Sequence, residues 1–171
     1  MDASQILIEA AGRIPGAARQ ALSGIDPQTL HAQPGGRGNS IAWLVWHAAR
    51  QLDAQLAALR GEPQVWSRDD WAPRLGIDRG AKEIGFGDSV ADVAALQVSD
   101  PALLAAYLDA AVTELIGYLA TAPALDDVVD TRWDPPVTRG VRLVSIIDDA
   151  VAHLGQAAYV RGVVSDWSIG Y

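Results

Sequence analysis

In this 171-residue chain, His47, Asp149 and His153 form the one constellation that suggests a metal site. Asp149 and His153 stand four apart. On a helix that spacing puts both on one face with Cβ atoms about 6 Å apart, where two side chains can grip one ion. His47 follows the apolar run Ile41-Ala42-Trp43-Leu44-Val45-Trp46, so it is expected to face the interior or a cleft. Brought together, a histidine from one helix and an Asp/His pair from another make a three-ligand site. Nitrogen and oxygen donors with open positions suit Zn²⁺, Ni²⁺, Fe²⁺ or Mn²⁺, and such an ion polarises a ligand or generates a nucleophile. Plainer readings stand beside this one. His47 alone reads as a core histidine bonded to a neighbour, and Asp149–His153 alone as a surface pair worth a few tenths of a kcal/mol. Asp148 sits about 100° further round the helix, and a modest rotation would exchange it with Asp149.

Other chemistries are excluded by what is missing. The chain has no cysteine, so it offers no disulfide, thiolate metal site or cysteine nucleophile, and any thiol must come with a substrate or cofactor. Gly85-Phe86-Gly87 is too short for a phosphate loop, and no G-x-S-x-G, HExxH or EF-hand pattern occurs. The net charge is −8, with 17 acids against eight bases over residues 61–171, which argues against a nucleic-acid partner. No run reaches the roughly 18 uninterrupted apolar residues of a membrane span. The opening MDASQILIEAAGR lacks the pattern of a secretory leader, so a soluble, cytoplasmic protein is expected.

Four helices are expected to position these groups within a single domain covering residues 1–171. The first spans 3–23, with Pro15 expected to kink or interrupt it. The second spans about 40–60, capped by Asn39 or Ser40. The third runs from a cap at Asp100, with Pro101 at its first position, to about 121. The fourth spans about 140–165. Residues 62–98 hold no long periodic segment, although 89–96 suits a short helix. A stretch that long is usually functional or ordered by packing. Trp66, Trp71 and Trp133 are expected to anchor the two long loops on the bundle, the alternative being that they line a pocket mouth, and Asp134 to lie near the site. His31 reads as a surface or packing histidine. Arg161 is expected to pair with an acid, with binding of an anion as the alternative. Four such helices with one long crossover make an all-α four-helix bundle.

With those helices placed, three stretches resemble the DinB-like superfamily, and more narrowly its actinobacterial DUF664-type branch. They are NSIAWLVWHAAR (39–50), GEPQVW with DDWAPRLG (61–76), and VVDTRWDPPVTRGVRLVSIIDDAVAHLGQAAYVRG (128–162). The resemblance implies an up-down-down-up bundle with its long crossover between the second and third helices. It also implies a triad of metal-binding histidines, one on the second helix and two spaced i, i+4 on the last. His47 matches the first, and His153, within His153-Leu154-Gly155-Gln156, matches the last. Asp149 stands where the third histidine would be, which implies a His₂-carboxylate site for a divalent ion, zinc or nickel. Relatives include transferases and isomerases that use a low-molecular-weight thiol, mycothiol or bacillithiol. A small-molecule ligand in the bundle cleft and a homodimer are implied as well. A non-catalytic ligand-binding bundle with a degenerate site is the alternative.

Overall fold

A computed structural model describes residues 1–170. Its frame is four long helices: α1 (Ala3–Leu22), α3 (Ile41–Arg60), α7 (Pro101–Ala120) and α8 (Arg139–Val164). Each start has a local cause. Asp2 and Gln5 form a capping box on α1, Ser40 accepts from the Trp43 amide, and Asp100 accepts from Ala102 with Pro101 at the first position. Pro15 does not interrupt α1. The helix forgoes one backbone bond there, while Ile14 and Ala18 keep their places in the core.

Each of α1 and α3 packs against both α7 and α8. Cross-links between helices give their directions. Arg50 meets Tyr107 and Arg60 meets Glu114, so α3 and α7 run the same way, as a long crossover between them permits. Gln51 meets Ile146 and Gln55 meets Arg142, so α8 runs opposite to α3. Every residue of α3 from Ile41 to Asp53 is buried. α7 is long and apolar enough by composition to cross a membrane. Its Leu104, Tyr107, Leu108, Ala111, Leu115 and Leu119 are instead buried in the bundle core.

The crossover is ordered by short elements: α4 (Val65–Arg68), α5 (Trp71–Leu75) and α6 (Val90–Ala95), the last over the short helix read from the sequence. Trp66 and Trp71 are buried against Tyr107, as anchors should be. Trp133 is not an anchor; it stands 64% exposed. It lies between two short antiparallel strands, β1 (Val128–Asp130) and β2 (Val137–Thr138), which lead into α8. A further short helix, α2 (Pro27–His31), follows α1.

Glu114 of α7 bonds Arg60 of α3 and Arg68 of α4, joining three elements. The Arg60 hydrogen bond, foremost among several cationic contacts, holds its carboxyl below the usual glutamate range. A depressed acid contributes stability above its unfolded pKa, lost as pH falls through the folded one. The stability difference between the native protein and Glu114→Gln should therefore be full at neutral pH and shrink below about pH 4.3. Urea titrations at pH 7 and pH 3.5 measure it, and an equal difference at both would contradict this assignment.

Candidate metal centre

The helical repeat lines up Trp43, His47, Gln51 and Gln55 at i, i+4 steps on the side of α3 that meets α8. His47 is buried, stacked on Trp43 with ring centroids 4.7 Å apart and planes 9° from parallel. Its Nδ1–H donates to the carbonyl of Ile84 in the crossover, so Nε2 keeps the lone pair. Hydrogen bonding at one ring nitrogen decides which nitrogen is free to ligate. Trp43 is itself held: its indole N–H donates to Asp88 at 2.8 Å, and Asp88 pairs with Arg79 at 2.7 Å.

From α8, His153 meets His47 edge-on, with centroids 4.6 Å apart. Its Nδ1–H donates to the Gln156 carbonyl oxygen at 3.0 Å, again freeing Nε2, which lies 3.5 Å from an Asp149 carboxylate oxygen. One ligand atom from each of His47, Asp149 and His153 lies within 4.8 Å of the other two. Donors about 2.1 Å from one ion stand roughly 3–4 Å apart, so small side-chain rotations bring the set to a divalent ion. The electrostatics differ along the trio. Burial pushes the His47 imidazole down, toward the neutral ligating form, whereas the hydrogen bond with Asp149 raises His153, so an ion bound there would displace the proton that His153 Nε2 shares with Asp149.

His47 and Asp149 line a cleft of about 410 Å³ between α3 and α8, bordered also by Gln51, Gln55, Ser145, Ile84 and Phe86. Asp149, not Asp148, faces the histidines; Asp148 is exposed at the rim. Three other sequence candidates stand apart from the trio. Asp134 is exposed in the turn between β1 and β2 and does not line the cleft. His31 is a packing histidine: Nδ1–H donates to Pro27 and Nε2 accepts from the Val98 amide. Among the described residues Arg161 pairs with no acid. Its guanidinium donates to the carbonyls of Ala21 and Ser23, groups that the end of α1 leaves without helical partners.

Sequence reasoning missed Ile84 and Gly85. Gly85 adopts φ +92°, and a Cβ there would lie 2.9 Å from His47 Nδ1 and 3.0 Å from the rings of Trp43 and Trp46. Only glycine lets the backbone come close enough for the Ile84 carbonyl to meet the imidazole. The one visible signal was the Gly85-Phe86-Gly87 run. Also missed was a buried network behind the site. The Asp53 carboxylate accepts from the amides of Val65 and Trp66 and the hydroxyl of Tyr107, each at 2.8 Å. Arg50, 3.6 Å from Asp53, donates to Gln64 and to the carbonyl of Ala81.

Comparison with known proteins agrees with this architecture. A crystal structure described as a conserved protein of locus from Enterococcus faecalis is similar, with a TM-score of 0.88 and 35% identity over 96% of this chain and 98% of that one. No curated protein matches the chain. The sequence pattern of one family spans residues 12–157, taking in His47, the crossover and the Asp149/His153 pair, and the chain belongs to that family, the DinB superfamily.

Proposed function

We propose that this protein binds a divalent metal ion, zinc or nickel, through His47 Nε2, the Asp149 carboxylate and His153 Nε2. We further propose that it uses the ion to transfer or isomerise a small electrophile with a borrowed low-molecular-weight thiol. The carrying observation is the hydrogen bonding of both imidazoles through Nδ1, which leaves two Nε2 atoms and a carboxylate converging beside a cleft. An ion held there supplies Lewis acidity, lowering the pKa of a thiol or water beside it. The chain's own groups do the rest. Trp43 and the Ile84 carbonyl hold His47, Gln156 holds His153, and the α3–α8 cleft receives the small molecule. With no cysteine of its own, the chain needs a thiol from solution.

Calorimetric titration of the chelated protein with Zn²⁺ and Ni²⁺ tests the reading. One equivalent should bind, and His47→Ala or His153→Ala should each weaken uptake at least about a hundredfold, more than losing an outer hydrogen bond costs. Uptake unaffected by both substitutions would place any metal elsewhere. Absence of uptake would leave a ligand-binding bundle whose Asp149 marks a degenerate site.

A further inference from the structure

The groove between α3 and α8 does not end at the metal centre. A cavity of about 530 Å³ continues it toward the start of α8, and Gln55 lines both spaces. The far cavity has a different character. In a chain of net charge −8, its walls carry Arg132, Arg139 and Arg142 against one acid, Asp130.

The pairing there leaves positive charge over. Asp130, with its side chain 8% exposed, takes Arg132 at 2.8 Å and Arg142 at 3.0 Å, one carboxylate between two guanidiniums. Arg139 is matched by Asp127 at 3.0 Å. Arg142 is aimed along the groove by a relay of amides: it donates to Gln55, Gln55 to Gln51, and Gln51 to the Ile146 carbonyl. Arg132, with an 83% exposed side chain, holds Asp130 through Nε and Nη2 and presents Nη1 to an incoming group. A guanidinium presents a planar fork that matches a carboxylate with two parallel bonds.

We propose that this arginine-lined cavity is a subsite for the carboxylate of an elongated small molecule lying in the groove. Resting on the metal reading above, the inference places the molecule's other end at His47, Asp149 and His153. His47 to Gln55 is eight residues of helix, and at about 1.5 Å per residue the two ends are roughly 12 Å apart. An extended eight-carbon chain approximates that span when its terminal sulfur and carboxylate oxygen are included.

Titration of the zinc-loaded protein with ω-mercaptooctanoate and with its neutral analogue ω-mercaptooctanol tests this. The acid should bind at least about tenfold more tightly, the scale of one charge-assisted pair. Arg132→Gln and Arg142→Gln should each narrow that gap while zinc affinity stays the same. Equal affinity for acid and alcohol in the native protein, or a gap that survives both substitutions, would overturn the proposal. Octanoate titrated beside saturating mercaptoethanol separates the two possible carriers of the carboxylate. Arg132-dependent binding there assigns it to the electrophile; binding of mercaptooctanoate alone assigns it to the thiol. Should the protein take up no zinc, the metal reading fails by itself. Octanedioate and the metal-free protein then decide the subsite: binding weakened by Arg132→Gln sustains it, and no binding overturns it.

Discussion

Gly85→Ala is expected to lower zinc affinity about 10–100-fold, the cost of losing a hydrogen bond that orients a ligand, although the residue touches no metal. The added methyl would meet His47 Nδ1 at 2.9 Å and the rings of Trp43 and Trp46 at 3.0 Å. Trp46 is fully buried and has nowhere to move. The crossover backbone must then retreat, and the Ile84 carbonyl retreats with it. His47 loses the acceptor that holds its Nδ1 proton and so the constraint that points Nε2 at Asp149 and His153. A positive φ also costs an L-residue about 1–3 kcal/mol, so stability falls too. Gly87→Ala separates the two effects. Gly87 has φ +81°, but a Cβ there meets nothing within 4 Å. It should therefore share the strain and keep zinc affinity within about threefold, well under the cost of a lost orienting bond. Zinc titration of both variants decides the matter; equal losses would mean that backbone strain, not His47 orientation, sets affinity.

The difference between His47 and Ile84 shows what a sequence can disclose about such a site. A ligating imidazole or carboxylate is a residue type, and its i, i+4 spacing on a helix is readable. A carbonyl that orients it belongs to every residue type, so Ile84 carried no signal, and Gly85 looked like any loop glycine. The choice between Asp148 and Asp149 was open for another reason. Val141, Val144 and Val151, on the side of α8 that carries Asp148, are apolar yet about half exposed. Apolar periodicity therefore outlined two candidate inner faces, and only packing against α3 selected the one carrying Ile146, Asp149 and His153. The four long helices were legible because each repeats its apolar pattern over five turns or more. At four or five residues, α4 and α5 are too short to show a period, and β1 and β2 are shorter still. Arg161 was misread because no acid was needed: the orphan carbonyls at the end of α1 have no sequence signature.

The buried network behind the site carries the largest expected effect on stability. Asp53→Ala should cost about 3–5 kcal/mol, the range for removing one partner of a buried ion pair. Arg50, with no exposed surface, would lose the one acid it pairs with among the described residues, and the first two amides of α4 would lose their acceptors. Asp53→Asn should cost less, since its carbonyl oxygen can still accept one of those amides. The double variant Arg50→Met/Asp53→Leu should be more stable than Asp53→Ala, because it leaves no unpaired charge behind. Urea denaturation of the three variants measures this, and a loss under about 1 kcal/mol for Asp53→Ala would mean that water reaches Arg50. The network also reaches the metal centre. Arg50 ties α3 to the Ala81 carbonyl, three residues before Ile84, so loosening it frees the segment that orients His47. Below its unfolding transition, Asp53→Ala should therefore bind zinc more weakly than the native protein, yet better than Gly85→Ala, which strikes His47 directly. The reverse order would show that the crossover is held at Ile84 independently of Asp53.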